Sequence, residues 1–293
     1  MSLRFGASVQ MIRGAIFALI CGLPMISAHA APAMPAARVV TLAPSLAELV
    51  FAVGADDKLV AVSAFTDYPD AARKLPVVAD AAGIAWESLL AAKPDLVLAW
   101  QGGTRPADIA RLRELGVHVI AIGIGNLSDV ASALRLIGNL TGRAASAELA
   151  AVECERQLDA LRKSGAGKPV VKIFFQISAR PLMTVNGAHV ISEMVMLCGG
   201  ANVFGDARGL VTEPSREELL ARAPDAILYG RSAGEKTVAN ADIYRGLPAA
   251  RAGRIYGVTA DFAYRPGPRL ILAAAEICAA LDRARANLDK KNR

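Results

Sequence analysis

The stretch WESLLAAKPDLVLAW, residues 86–100, decides the fold, because the chain carries it twice. Its echo is REELLARAPDAILYG, residues 216–230. Aligned without a gap, the two share Glu87/Glu217, Leu89/Leu219, Leu90/Leu220, Ala91/Ala221, Pro94/Pro224, Asp95/Asp225 and Leu98/Leu228. Each begins as a helix, stops at Pro-Asp and continues as a strand. DLVLAW has no polar residue after its Asp. A strand without alternation is buried on both faces, which implies a parallel sheet covered by helices. Convergence on helix–Pro–Asp–strand connectors accounts for the leucines and the turn. An acid at a helix start suits the macrodipole, but construction does not demand Glu at the same place in both. A weaker echo pairs SLAELVFAVGA (45–55) with ISEMVMLCGGA (191–201). Two echoes in the same order imply two similar lobes.

Outward from the first copy, strands are expected at RVVTLAPS (38–45), KLVAVSAF (58–65), LPVVA (75–79) and VHVIAI (117–122), with helices at 105–115 and 128–137. Outward from the second, VVKIFFQI (170–177) and RIYGVT (254–259) read as strands, and a C-terminal helix starts near Arg269. Between the halves, residues 143–163 form one helical run without Gly or Pro, ended by SGAGKP (164–169). A helical joiner is stiffer than a Gly/Ser linker. The expected fold is therefore α/β: two Rossmann-like lobes joined by one long helix, with a ligand cleft between them. The expected divisions are a signal peptide at 1–30, a first lobe at 31–142, the connecting helix at 143–165 and a second lobe at 166–293.

The N-terminus reads as an export signal. Arg4 and Arg13 precede a short apolar run, Gly14 to Ile26, and Ala28-His29-Ala30 is a small-x-small cleavage pattern. At about a dozen residues the run is short for a membrane span. Cys21 as a lipidation site is the weaker reading, since bulky Ile20 precedes it. Export implies the periplasm. Loss of Arg4 and Arg13 takes the formal charge from +6 to +4, with no Lys/Arg stripe of the kind nucleic acid requires. Three cysteines remain, and an oxidising compartment permits one disulfide. Cys198–Cys278 is the expected pair, worth about 4 kcal/mol in the chain-entropy model. The alternative is three buried thiols.

Ligands of α/β proteins bind outside the carboxyl ends of the strands. Those ends carry Phe65-Thr66-Asp67-Tyr68, Trp100-Gln101-Gly102-Gly103 and Asp261-Phe262-Ala263-Tyr264-Arg265. Aromatics make up only 5% of the chain, so their gathering at these ends favours a cleft. The glycines after Trp100 would admit a ligand close to the backbone. His118 and His189 are too few and too distant for a protein-held metal site and read as structural or surface residues. GIGNLS (123–128) lacks the third glycine of a dinucleotide loop and reads as a turn, with Ser128 capping the next helix. No pattern assembles a nucleophile with a base, so no catalytic residue, metal or cofactor is expected. A secreted α/β enzyme is the alternative of another class.

These residues resemble a known family: the substrate-binding proteins of ABC importers in the class built from two α/β lobes on a rigid helix, and within it the vitamin B12 (cobalamin) branch. The carriers are RVVTLAPSLAELVFAVGA, VSAFTDYP, ESLLAAKPDLVLAWQGG, LCGGANVF, SREELLARAPDAI and DFAYRPGPRLILAAAEIC, in order from about residue 38 to 280. The resemblance implies a monomer that takes a corrinoid as transported ligand and hands it to transmembrane transporter subunits. It implies ligand contacts at Phe65, at Trp100 and from Asp261 through Arg265. It also implies a Cys198–Cys278 disulfide and transporter docking through Glu87 and Glu217, one per lobe. Ala81 and Val211 stand where the branch carries tryptophans, and Phe65 where it carries tyrosine. A wider, less aromatic cleft leaves haem or a ferric siderophore as alternative ligands. Tyr68 and Tyr264 are candidates to compensate.

Overall fold

The computed structural model describes residues 34–232, 234–235 and 241–291. The signal segment expected over 1–30, Cys21 included, lies outside the described residues. The first lobe runs β1 (Val39–Thr41), α1 (Pro44–Ala52), β2 (Leu59–Ser63), β3 (Val77–Asp80), β4 (Gly83–Ile84), α2 (Trp86–Ala91), β5 (Leu96–Trp100), α3 (Pro106–Glu114), β6 (His118–Ile122) and α4 (Ser128–Thr141). The long α5 (Ala144–Gly165) follows. The second lobe runs β7 (Val171–Gln176), β8 (Ser178–Ala179), β9 (Leu182–Val185), α6 (Val190–Leu197), β10 (Gly200–Asn202), β11 (Val211–Thr212), α7 (Arg216–Arg222), β12 (Ala226–Arg231), α8 (Pro248–Arg251), β13 (Ile255–Thr259), α9 (Ala260–Ala263) and α10 (Leu270–Lys291).

Among the described residues the first lobe holds a six-stranded sheet of order β4-β3-β2-β1-β5-β6, parallel except for the β3–β4 edge. The second holds a parallel sheet of order β10-β7-β12-β13, with a small antiparallel sheet β11-β9-β8 beside it. Adjacent residues on the central strands feed different cores. Val39, Leu96 and Leu98 join one cluster, while Val40, Val97 and Ala99 join another. Val171, Ile173 and Phe175 join the first cluster again, and Phe174 joins a third. This two-sided burial is why the strands lack alternation.

The cluster common to both lobes runs through α5. Ala147, Ala151, Cys154 and Leu158 recur at spacings of three and four, lie on one helical face and are at most 5% exposed. The connecting helix is thus a core element of both lobes and not a tether. Cys154 is its buried free thiol, pushed up to about 11 by desolvation. Cys198, just past α6, is bonded to Cys278 on α10. Arg285 reinforces that corner, its Nη2 donating to the carbonyls of Cys198 and Gly199 at 2.8 and 2.9 Å.

The repeated stretch becomes one repeated device. Lys93 and Ala223 occupy the same register and both adopt left-handed backbone, at φ 46° and 44°. This turns the chain ahead of Pro94 and Pro224. Asp95 then accepts the amides of Ala37 and Arg38 at 2.8 and 2.9 Å, at the entrance to β1. Asp225 accepts the amide of Lys172 at 2.9 Å, at the entrance to β7. In each lobe the aspartate holds the start of the neighbouring strand. Leu89, Leu219, Leu98 and Leu228 are fully buried.

Two local expectations are corrected. Ser128 does not cap α4 but is its first residue. Asn126 does the capping: its Oδ1 accepts the Asp129 amide at 3.1 Å and the Ser128 hydroxyl at 2.6 Å. The helix also runs on to Thr141, where Gly142 ends it at φ 68°.

Candidate functional site

The carboxyl ends of the parallel strands in both sheets open onto one cleft of about 750 Å³. From the first lobe come Trp100, Gln101 and Gly102 after β5, and Gly123, Ile124 and Gly125 after β6. From the second come Ile177 after β7, His189 to Ile191 at the start of α6, and Ala263 and Tyr264 at the end of α9. The walls are apolar and aromatic, with amide, imidazole and phenol groups between. No Lys or Arg is among the described residues lining the cleft. Its acid, Asp129, is occupied by the amides of Gly125 and Asn126 at 2.7 and 3.0 Å.

Glycines set the two aromatic walls. A Cβ on Gly103 would fall 1.8 Å from the Trp100 ring, so that glycine exists to let the indole lie against its own turn. Gly102, at φ 100° with open space around it, is the one that bares backbone to the cleft. In the second lobe a Cβ on Gly230 would fall 2.1 Å from the Tyr264 hydroxyl. That hydroxyl donates to the Gln176 carbonyl at 3.2 Å, and burial pushes its pKa up to about 12. Tyr264 is therefore a fixed neutral wall.

A second, smaller hollow of about 310 Å³ adjoins Trp100 and includes Phe65, Ala81 and Gly103. Phe65 is 77% exposed and held at φ 62°. A bulky residue in left-handed backbone is uncommon and strained, and here it presents a bare ring to solvent beside the cleft. The small Ala81 leaves the hollow open on that side.

The remaining expected ligand residues lie together, but against one another. Arg265 bonds Asp67 at 2.5 Å and Asp261 at 3.1 Å. Arg269 grips Glu48, 2% exposed in its side chain, at 2.5 and 2.8 Å. The same guanidinium sits 4.5 Å from the Tyr68 ring and 5.4 Å from that of Phe262. These charges join the lobes: Glu48, Asp67 and Tyr68 belong to the first, the others to the second. The guanidinium of Arg265 holds the Asp67 carboxyl below its ordinary range. Glu193 of α6, in the second lobe, accepts the amide of Leu127, in the first, at 2.7 Å. The two lobes are therefore joined by ready-made ties.

Sequence reasoning missed His189, whose place on the wall comes from tertiary structure; His118 is exposed at the start of β6. Gln101, Ile177 and Leu210 were legible only as strand-end or loop residues. Glu87 and Glu217 both stand exposed in the first turns of α2 and α7, with no side-chain hydrogen-bond or ion-pair partner among the described residues. No helix among the described residues is long and apolar enough to cross a membrane.

The family model for periplasmic binding proteins matches residues 39–262. The vitamin B12-binding protein of Yersinia pestis (strain Pestoides F) is 36% identical over 254 residues, 87% of this chain and 89% of that protein. The crystal structure of the periplasmic vitamin B12 binding protein BtuF of Vibrio cholerae superposes with a TM-score of 0.77 at 33% identity, covering 85% of this chain and 98% of that one. A periplasmic haem-binding protein from Pseudomonas aeruginosa superposes with a TM-score of 0.71 at 25% identity, covering 84% and 92%. The chain belongs to the periplasmic binding protein family.

Proposed function

We propose that the protein captures cobalamin or a related corrinoid in the interlobe cleft, in the periplasm, and delivers it to an inner-membrane ABC importer. The observation that carries this reading is the lining of the main cleft: flat apolar and aromatic walls, polar groups whose one acid is tied to backbone amides, and no Lys or Arg among its described residues, while Arg105 of the adjoining hollow is paired with Asp108 at 2.8 Å. A corrin ring is broad, and its edge carries uncharged amides. Haem carries carboxylates and many ferric siderophores are anionic, so either would enter this cleft without a counter-charge, which is costly in a partly desolvated site. Likeness to B12-binding proteins at 33 to 36% identity points the same way.

Within this reading Trp100, Gly102, Ala263 and Tyr264 contact the ligand from the cleft walls, and Phe65 and Gly103 from the adjoining hollow. Asp67, Tyr68, Asp261, Phe262 and Arg265 act beside it, as the interlobe tie that keeps the cleft preformed and limits the ordering cost of binding. The lobes are assigned to 31–142 and 166–293, with 143–165 between them, and the protein works as a monomer. Glu87 and Glu217 are the docking pair, one per lobe, for basic residues of the transporter's membrane subunits. No covalent step is involved: Asp129 holds two backbone amides through Oδ2, and no nucleophile–base pair lines the cleft among the described residues. Mass spectrometry of ligand released from protein purified out of its native periplasm tests the reading. A corrinoid mass is expected; haem or a siderophore in its place would overturn it.

A further inference from the structure

His189 occupies a position that serves two masters. It is the N-cap of α6, with extended backbone at φ −78° and ψ 143°, and its Nδ1 accepts the Ile191 amide at 3.1 Å. It also lines the cleft, opposite Trp100, Gln101 and Gly102. The cap fixes the ring flip, since the other orientation would present a C–H to an amide that needs an acceptor. It also fixes the tautomer. An Nδ1 that accepts carries no proton, so the neutral ring carries its proton on Nε2. Nε2 has no hydrogen-bond partner among the described residues. A proton on both nitrogens would set two donors against each other at Ile191, and desolvation acts in the same direction by lowering the pKa of the ring.

We infer that His189 is a specificity-determining residue of the cleft: it offers a neutral Nε2–H donor to a carbonyl oxygen of the ligand's amide edge, and does not act as an axial ligand to the ligand's metal. Metal ligation through Nε2 needs a bare lone pair there and therefore a proton on Nδ1, which the cap forbids. A neutral donor also suits an amide oxygen, whereas a carboxylate would select a cation. This inference rests on the corrinoid reading above and names the ligand group that His189 reads.

The two nitrogens can be separated by substitution. Asn places its Oδ1 near the position of Nδ1 and keeps the cap, but has nothing at Nε2. Gln places an amide nitrogen near Nε2 but gives up the cap. Cyanocobalamin and aquacobinamide are titrated calorimetrically into wild type, His189→Asn and His189→Gln, with melting temperatures and visible spectra recorded alongside. The expected result is that His189→Asn melts with wild type and binds cyanocobalamin about tenfold more weakly. His189→Gln recovers most of that affinity while melting several degrees lower. Unchanged affinity in His189→Asn would reduce the ring to a cap and overturn the donor role alone. Displacement of the cobinamide bands on binding to wild type, lost in His189→Asn, would replace donation by metal ligation. Wild type that binds no corrinoid overturns the parent reading, and the donor role with it.

Discussion

The two copies of the helix–strand unit agree wherever the fold needs them to and part where a ligand would lie. Lys93 and Ala223 share a left-handed turn, Asp95 and Asp225 hold the neighbouring strand, and Leu89 and Leu219 are fully buried. At the far end of the strand the copies separate. The first ends in Trp100, 38% exposed beside the cleft. The second reaches Gly230 at the matching position, where Tyr264 arrives from α9 and lies across the bare backbone. Each lobe supplies one aromatic wall, but by different means: one from the repeat itself, one by leaving room in it. Packing fixes the scaffold, and the strand ends are free to specialise. Glu87 and Glu217 are the exception, identical in both copies and with side chains engaged by nothing among the described residues.

Reversing both charges tests that exception first. Glu87→Arg with Glu217→Arg is expected to cut corrinoid uptake by roughly a hundredfold, because two like-charge contacts replace two favourable ones. Affinity for the ligand should stay at the wild-type value by calorimetry. A matching fall in affinity would move the glutamates from docking to binding. The scaffold comes next. Leu89→Ala and Leu219→Ala should each destabilise the protein by about 3 kcal/mol in urea unfolding, and to similar extents if the copies do equal work. A large difference would break the equivalence. Trp100→Ala should weaken corrinoid binding by about 2 kcal/mol, or some thirtyfold, with little change in stability. Loss of stability without loss of affinity would make that wall a packing element.

The smallest effect concerns the tie between lobes. Arg265 holds the Asp67 carboxyl below the ordinary aspartate value of 3.8. A group whose folded pKa is depressed adds stability above its unfolded pKa and loses it as pH falls through the folded one. Wild type should therefore lose stability faster than Asp67→Asn as pH drops below about 4. Asp67 is 35% exposed in its side chain, so screening keeps the difference to about a degree in melting temperature. Parallel acid profiles for the two proteins would show that the pair contributes nothing.

The sequence revealed most of what depends on period and punctuation. Unbroken apolar strands, Pro-Asp turns and a long run without Gly or Pro were enough to read α/β alternation and the helix that became α5. The small β11-β9-β8 sheet was not legible, because β8 and β11 are only two residues long and no periodicity can register in them. The cleft's strand ends could be named in advance, but not how their side chains divide. Asp67 and Arg265 are 198 residues apart, and no local pattern announces that they neutralise each other. His189 looked like a lone loop histidine, since only the fold brings the start of α6 to the cleft. Asn126 and not Ser128 caps α4 because it sits ahead of the helix, where its Oδ1 reaches forward to the Asp129 amide, whereas Ser128 is already in the first turn.

The central claim is that a cleft with neutral, aromatic walls selects an uncharged corrinoid over an anionic macrocycle. The most direct measurement is a calorimetric titration of the purified protein with cyanocobalamin and, in parallel, with haem. One-to-one binding of cyanocobalamin at about micromolar affinity or tighter, with haem at least tenfold weaker, is the predicted result. Haem binding more tightly, or no heat with cyanocobalamin or cobinamide, would contradict it.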